Sequence, residues 1–273
     1  MYKILALDLD GTVLTDTHTI HPEVKSAIQD ISRSYHVVIV TGRHHTAARP
    51  YYLELGLTTP IICCNGTYLY DFQTETVLEH NAIKKEQALT FLALAKEFQM
   101  KVVMYVTNAM VYSRSTPIAY MHALEKWSQQ YPEYQRPQIR QIDDFEALAV
   151  TEDHIWKFVV EGLPSSIEGL TAHPWVQANF NSERSWSNRI DFAAKNNNKG
   201  TLLANYVNQL GYHPHHVIAV GDNHNDISML KYAGLGVAML NADATVKAFA
   251  QHICSTDNNN NGLATFFREQ FKG

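Results

Sequence analysis

Two aspartates stand one residue apart near the start of the chain, where Asp8 and Asp10 follow the apolar run 4–7 and precede Gly11. A short apolar run of this kind is typical of a strand buried on both faces of a parallel sheet. Because side chains alternate along an extended chain, both carboxylates project to the same side of that strand. Neighbouring carboxylates repel each other unless a cation offsets their charge, and Mg2+ is commonly held by one or two carboxylates together with phosphate oxygens and water. The pattern predicts metal-assisted chemistry on a phosphorylated substrate; the alternative is that Asp10 or Thr12 caps a following helix.

Three further apolar runs, at 37–40, 61–64 and 216–220, also end in polar residues next to a glycine. The residues that follow these runs are Thr41, Gly42 and Arg43, then Asn65 and Gly66, and finally Gly221, Asp222, Asn225 and Asp226. In open α/β sheets, ligands bind outside the carboxyl ends of the strands. We therefore expect all four clusters to surround one ligand, in a site for metal-assisted phosphoryl transfer.

The chemistry of carboxylates predicts a role for each aspartate in these clusters. Asp8 is predicted to attack phosphorus as a nucleophile and to carry an aspartyl-phosphate. Asp10 is predicted to protonate the leaving alkoxide and then to take a proton from the hydrolytic water. Asp222 is predicted to complete the Mg2+ shell. Asp226 is predicted either to join that shell through water or to cap the next helix.

Phosphate-binding groups are predicted at two of the strand ends and at one helix. The Thr41 hydroxyl and the Gly42 N–H are expected to hold phosphate oxygens. Lys199, at the start of a predicted helix, adds a positive charge where the helix dipole also favours an anion. Asn225 is expected either to donate to a phosphate oxygen or to orient Asp222.

Other polar residues near this edge receive less specific roles. Arg43 is expected to be structural or to contact the substrate, and Asn65 is expected to contact the ligand. Of the fourteen histidines, His44 and His45 lie on the same edge, and one of them is a less favoured candidate for a substrate contact. The histidines within 213–216 precede a strand, so we expect a solvated loop at the opposite edge rather than a zinc site.

The composition is that of an ordinary globular protein, with 273 residues, 45% hydrophobic and 18% charged. A net charge of −5 argues against a nucleic-acid or anionic membrane surface. The sequence shows neither a signal peptide nor a run of about 20 apolar residues that could span a membrane. The three cysteines do not imply disulfides, which indicates a cytoplasmic protein. The sequence does not fix the oligomeric state and is compatible with a monomer.

The alternation of strands and helices predicts an α/β protein with a parallel sheet, built from 1–80 and 189–273. Between these segments, 81–188 has a different pattern that predicts a separate α+β domain. Its predicted elements are helices over 83–98 and 118–130, a hairpin over 101–113, and strands over 154–161, 175–180 and 184–192.

The motifs Asp8-Leu9-Asp10-Gly11-Thr12, Thr41-Gly42, Lys199-Gly200 and Gly221-Asp222-Asn223-His224-Asn225-Asp226 resemble the four signature motifs of the haloacid-dehalogenase-like (HAD) phosphatases. Their order, and the long segment between the second and third motifs, resemble the Cof-type subgroup with a type-2B cap. The stretches 40–45 and 62–71 are similar to bacterial phosphatases of this subgroup that act on pyridoxal phosphate. The resemblance covers the whole chain.

The resemblance implies a Rossmann-like core with the first strand central, an inserted α+β cap that sets substrate specificity, and Mg2+ as cofactor. It implies Asp8 as nucleophile and the metal ligands Asp8, Asp10 through its carbonyl, and Asp222. The phosphate contacts that it implies are the Leu9 backbone, Thr41, Gly42, Lys199 and Asn225.

The substrate that this resemblance implies is a small phosphorylated metabolite. Pyridoxal 5′-phosphate is expected, with sugar phosphates such as fructose 1,6-bisphosphate as further substrates. A phosphomutase using the same site and a non-catalytic protein that binds phosphorylated metabolites are the alternatives. A purely structural α/β domain is also conceivable, but it leaves the four coincident polar clusters unexplained.

Overall fold

The computed structural model of the protein describes residues 1–186 and 188–271, which form two compact units. We call the first the core unit; it comprises Met1–Arg43, Tyr51–Glu79 and the chain from Asn198 onward. We call the second the inserted unit; it comprises His44–Pro50 and His80–Asn197.

The strands, numbered along the chain, are β1 (Ile4–Leu7), β2 (His36–Ile39), β3 (Ile61–Cys63), β4 (Tyr68–Asp71), β5 (Thr76–His80), β6 (Lys101–Val106), β7 (Ala109–Ser113), β8 (Ile139–Ile142), β9 (Ile155–Glu161), β10 (Phe180–Trp186), β11 (Arg189–Ala194), β12 (Val217–Gly221), β13 (Leu235–Ala238) and β14 (His252–Ile253). The α-helices are α1 (Pro22–Ser32), α2 (His45–Leu55), α3 (Lys85–Glu97), α4 (Ala119–Ser128), α5 (Phe145–Thr151), α6 (Pro164–Ala172), α7 (Pro174–Asn179), α8 (Lys199–Gln209), α9 (Ile227–Tyr232), α10 (Ala244–Ala248) and α11 (Gly262–Gln270). Short 3-10 turns lie at Glu133–Gln135, Pro214–His216 and His224–Asp226.

The core unit is built on a parallel sheet with the strand order β14-β13-β12-β1-β2. A parallel bridge between Val40 and Ile62 extends the sheet toward β3, which pairs in turn with β4. Because β1 is buried along its whole length and has neighbours on both sides, its carboxyl end opens in the middle of the sheet edge. The expected α/β fold with a central first strand is confirmed.

Helices cover this sheet with apolar faces at helical spacing. In α1, the buried residues Val24, Ala27, Ile28 and Ile31 form one stripe. On the sheet face that carries Ile4, α8 and α9 contribute to one apolar cluster. The strand ends are therefore held on a packed core, which fixes the residues that follow them. Among the described residues, the structure contains no helix with the length and apolarity needed to cross a bilayer.

The inserted unit contains a six-stranded sheet with the order β10-β11-β9-β6-β7-β8. Its pairs are antiparallel except for the parallel pair β7 and β8. The predicted hairpin is present as β6 and β7, with Tyr105 opposite Met110. On the face that packs against helices, the rings of Phe91 and Phe158 stack with centroids 4.6 Å apart.

Two predicted strands of the inserted unit differ from the structure. The segment predicted as a strand over 175–180 forms the helix α7, since Pro174 fits the first turn of a helix and overrides the β-propensity of the apolar residues after it. The single strand predicted over 184–192 is instead the two strands β10 and β11, which pair with each other.

The division of the chain also differs from the expected boundary at residue 188. Strand β11 lies between β9 and β10 in the sheet of the inserted unit, so a boundary at 188 would cut a hairpin. The inserted unit therefore extends to Asn197, and it also includes His44–Pro50, which the sequence pattern assigned to the core.

Candidate active site

The predicted site residues lie at the carboxyl ends of core strands and at the start of α8. Asp8 directly follows β1, and its N–H continues the strand by donating to Val220 O at 3.1 Å. Thr41 follows β2 and Asp222 follows β12, while Lys199 is the first residue of α8. The fold of the core unit thus brings together residues that are up to 218 positions apart, from Asp8 to Asp226.

A buried ammonium group lies between two buried carboxylates. Lys199 Nζ donates to Asp8 Oδ1 and to Asp226 Oδ1, each at 2.6 Å. Lys199 and Asp226 are fully buried, and Asp8 is 5% exposed. Burial acts to lower the pKa of Lys199, but the charges of Asp226 and Asp8 outweigh it and raise that pKa. Lys199 is therefore a fixed positive charge directly beside Asp8.

Asp226 fixes the turn that carries Asp222. Its Oδ2 accepts the N–H groups of Asp222 and Asn223 at 2.9 and 3.0 Å, while its Oδ1 accepts from Lys199. The side chain makes no capping hydrogen bond to α9, so the predicted helix-cap role is not what the structure shows. Asp226 instead joins the Lys199 ammonium to the backbone of the 222–226 turn.

Asp222 reaches the site because Gly11 lacks a side chain. The φ angle of Gly11 is +82°, and a Cβ at this position would lie 2.3 Å from Asp222 Oδ2. Thr12 Oγ1 donates to Asp222 Oδ1 at 2.9 Å and so orients the carboxylate. Burial, reinforced by the charge of Asp226, raises the pKa of Asp222 to about 7.

Asp8, Asp222 and Asp226 form an acidic group suited to a divalent cation. One carboxylate oxygen from each residue lies within 4.8 Å of the other two. Burial raises the pKa of Asp8 well above its usual range although Lys199 lowers it, and the neighbouring carboxylates add to the rise. A single ammonium thus leaves an excess of negative charge on hard oxygen donors, which fits Mg2+.

The carboxylate of Asp10 pairs with Arg43 rather than with Lys199. Arg43 Nε and Nη2 donate to the two carboxylate oxygens of Asp10 at 2.7 and 2.6 Å. Desolvation acts to raise the pKa of Asp10, but the Arg43 charge and hydrogen bonds outweigh it and hold the pKa below its usual range. The Arg43 guanidinium also lies over the ring of Tyr51, with its carbon 5.0 Å from the centroid. Arg43 therefore orients Asp10 and keeps it ionised.

The predicted phosphate-binding residues form a second part of the site. The buried Thr41 Oγ1 accepts the Arg43 N–H at 3.1 Å, so its own hydroxyl proton can be donated to another oxygen. The Asn65 side chain lies against Gly42, where a Cβ would be 2.9 Å from Asn65 Oδ1. Asn225 Nδ2 donates to the same oxygen at 3.1 Å. Asn225 Oδ1 is buried and accepts no hydrogen bond within the described chain.

Leu9 stabilises the turn that follows Asp8. The Leu9 side chain is buried, and its carbonyl accepts the N–H groups of Thr12 and Leu14 at 3.2 and 2.8 Å. This arrangement turns the chain sharply after Asp8.

The structure places His44 and His45 in the packing of the inserted unit. Both are buried. His44 Nδ1 accepts the Thr46 N–H at 3.2 Å, and His44 Nε2 forms a hydrogen bond with Val106 O at 2.9 Å. Burial lowers the pKa of His44 to about 4, which keeps it neutral. The histidines at 213–216 lie just before β12, as expected, and form no metal-ligand group within the described residues.

Three residues support the site in ways that the sequence pattern did not predict. Asn198 caps α8 by accepting the Thr201 N–H at 2.8 Å, which fixes the first turn that carries Lys199. A Cβ on Gly66 would lie 2.1 Å from Asn198 O, so glycine lets the loop after β3 approach this turn. Thr12 orients Asp222. An asparagine before a predicted helix and a glycine after a predicted strand were the available signals.

Comparisons with known proteins identify a family and several similar chains. The sequence profile of the family described as haloacid dehalogenase-like hydrolase matches residues 5–267. A pyridoxal phosphate phosphatase of Escherichia coli (strain K12) is 40% identical over 270 residues, which cover 97% of each chain. A 5-amino-6-(5-phospho-D-ribitylamino)uracil phosphatase of Bacillus subtilis (strain 168) is 29% identical over 97% of this chain and 94% of its own. The crystal structure of a haloacid dehalogenase-like hydrolase from Bacteroides thetaiotaomicron superposes with a TM-score of 0.86 at 23% identity, covering 99% of this chain and 100% of that one.

Proposed function

The chain belongs to the haloacid dehalogenase-like hydrolases and is a phosphatase of phosphorylated metabolites, and we propose that it works through an aspartyl-phosphate on Asp8 with Mg2+ as cofactor. The observation that carries the proposal is the contact between Lys199 Nζ and Asp8 Oδ1 at 2.6 Å, next to two further carboxylates. A structural ion pair alone would not require this excess of acids around one lysine. A nucleophile that must approach an anionic phosphate ester requires positive charge, which Lys199 together with a cation bound by these carboxylates would supply.

The proposed phosphoryl transfer has two steps. Asp8 forms a bond to phosphorus while the ester P–O bond breaks, and Asp10 gives its proton to the leaving oxygen. Water then attacks the aspartyl-phosphate, Asp10 takes the proton from that water, and phosphate leaves. Thr41 and Lys199 hold the phosphate oxygens, and Asn225 donates to one of them after turning from Asn65.

Mg2+ would be held by Asp8 and Asp222, with Asp226 in the same acidic group and the Asp10 carbonyl as a further ligand. Bound there, the ion would reduce the repulsion between the nucleophile and the phosphate and stabilise charge on the transferring group. Asp10 serves as a base in the state held by Arg43. Its action as an acid requires that Asp10 gain a proton and leave Arg43, so we propose that substrate binding separates this ion pair.

The substrate that we propose is pyridoxal 5′-phosphate, with sugar phosphates such as fructose 1,6-bisphosphate as secondary substrates. The support is the 40% identity to the phosphatase of Escherichia coli along nearly the whole chain. We further propose that the inserted unit selects among substrates, because the phosphate-binding residues of the core unit contact only the group that all substrates share.

A panel of phosphate esters tests both the metal and the substrate. Phosphate release is measured with Mg2+ and with EDTA on pyridoxal 5′-phosphate, fructose 1,6-bisphosphate, hexose phosphates and nucleoside monophosphates. We expect turnover with Mg2+ only and the highest kcat/KM for pyridoxal 5′-phosphate. Equal turnover in EDTA would contradict the metal, and preference for a hexose phosphate would contradict the substrate. Transfer of phosphate to a second sugar position instead of water would indicate a mutase.

Replacement of Asp10 by asparagine should separate its two roles. We expect Asp10→Asn to lower kcat on an alkyl phosphate by roughly 10^2–10^4, since the leaving alkoxide then receives no proton. On p-nitrophenyl phosphate, whose leaving group needs no proton, the first step should survive and give a burst of about one equivalent of p-nitrophenol per chain. Asp30→Asn, on the exposed side of α1, serves as control. Equal losses on both substrates, without a burst, would contradict the role of Asp10 as acid.

A further inference from the structure

A cavity of the core unit lies at the edge of the sheet opposite Asp8. Its volume is about 480 Å3, within the usual range for sites that bind small molecules. Lys3, His36 and Pro60 line it, and each stands at the amino end of a neighbouring strand, β1, β2 or β3. Residues 32–35, which are the last residue of α1 and the three residues after it, form one wall. All lining residues belong to the core unit.

The cavity is positively charged in a protein whose net charge is negative. Lys3 and Arg33 line it together with His36, and no carboxylate side chain lines it within the described part of the chain. Arg33 forms an ion pair with Asp30 at 3.3 Å, but both side chains are more than half exposed, and such a pair contributes little. A bound anion would therefore compete with Asp30 for Arg33.

The end of α1 does not cancel this positive charge. The carboxyl end of a helix carries partial negative charge on its last carbonyl groups. Here Asp30 O accepts the Arg33 N–H, Ile31 O accepts the N–H groups of Ser34 and Tyr35, and Gln29 O accepts from the Ser32 hydroxyl. Because these carbonyls already have donors, they are not directed as acceptors at a ligand in the cavity.

Aromatic side chains form part of the cavity wall. Tyr35, Tyr206 and Tyr212 line it, and Lys3 Nζ lies 6.0 Å from the centroid of the Tyr35 ring. The Tyr35 ring is held edge-on by Phe271 at 5.0 Å, and the Tyr212 ring is held by His36 at 6.1 Å. Rings fixed in this way are suited to contact a planar ligand.

We propose that this cavity binds a small aromatic phosphate, such as a nucleoside monophosphate, at a site separate from the phosphatase centre. Lys3 and Arg33 hold the phosphate, while Tyr35 and Tyr212 contact the ring. The volume accommodates one small molecule, and the absence of lining carboxylates among the described residues argues against a cationic ligand. The cavity and Asp8 lie at opposite edges of the sheet, so a ligand can bind in the cavity without taking part in the reaction at Asp8.

Calorimetric titration with adenosine 5′-monophosphate, in EDTA, tests this proposal. We expect binding that is weakened roughly tenfold or more in the double variant Lys3→Ala/Arg33→Ala, since charge-assisted hydrogen bonds are lost. Tyr212→Leu should weaken the monophosphate more than ribose 5-phosphate, because only the former has a ring to contact. Adenosine has the ring but no phosphate, and inorganic phosphate has no ring. Each should therefore bind more weakly than the monophosphate.

A matched double variant separates local from general charge effects. Lys25→Ala/Arg268→Ala removes the same charge from exposed ion pairs elsewhere on the core unit. It should leave the affinity unchanged, and both double variants should keep wild-type kcat/KM for phosphate release, which reports an intact fold. Binding that is equally weakened by both double variants, or weakened by neither, would overturn the proposal. If the wild-type protein released no phosphate from any ester of the panel described above, the proposed function of the Asp8 site would be contradicted, but the binding proposed for the cavity would not.

Discussion

Replacement of Asp8 by asparagine should abolish phosphate release, with kcat on any substrate reduced by on the order of 10^4-fold or more. The amide has the same shape as the carboxylate but lacks the nucleophilic anion that forms the aspartyl-phosphate. The fold should tolerate the change, because burial already raises the pKa of Asp8 and so opposes its charge. Lys199 keeps Asp226 as its partner in this variant.

Activity alone does not identify a nucleophile, so the covalent intermediate is the decisive measurement. Wild-type protein quenched in acid during turnover of a 32P-labelled substrate should retain label that hydroxylamine releases, as an acyl phosphate requires. Asp8→Asn should retain none, and Asp30→Asn should behave as wild type. Label that persists in Asp8→Asn, or activity above about 1% of wild type, would assign the nucleophile to another residue.

The sequence predicts the edge of the sheet better than the contacts made there. Apolar runs followed by polar residues identify the ends of β1, β2 and β12, because parallel strands must end together. The pairing of Arg43 with Asp10 is not visible in the sequence, since it depends on how a side chain folds back across the sheet edge. The role of Asp226 is also not visible in the sequence. It depends on the turn that places one carboxylate oxygen next to Lys199 and the other next to the Asp222 N–H.

The errors in the inserted unit have a different physical origin. Short elements depend on tertiary packing more than on local propensity. The residues of α7 are mostly apolar and bulky, so their pattern suits a strand, and only packing against the sheet and Pro174 selects the helix. The position of β11 in the sheet is set by its partners β9 and β10, which no local pattern specifies. The boundary at Asn197 could therefore be read only from the pairing of strands.

Replacement of Lys199 by methionine should give the largest loss of stability among the site residues. The change leaves Asp8 and Asp226 buried next to each other without the cation that contacts both. Removing one partner of a buried ion pair costs about 3–5 kcal/mol, because the remaining charge has neither water nor a partner. We expect the free energy of unfolding in EDTA at pH 7 to fall by this amount, whereas Lys96→Met, on the exposed side of α3, should change it by less than about 0.5 kcal/mol.

The dependence of this loss on pH distinguishes charge from packing. Burial already raises the pKa of Asp8, and without the charge of Lys199 this carboxyl group binds a proton in the folded state still more readily than in the unfolded chain. Stability then rises as the pH falls, so the deficit of Lys199→Met should shrink between pH 7 and pH 5. The double variant Lys199→Met/Asp226→Asn removes one of the two carboxylates that contact Lys199, so it should recover part of the loss at pH 7. A deficit that is independent of pH and unchanged in the double variant would mean that Lys199 stabilises the core through its methylene chain rather than through its charge.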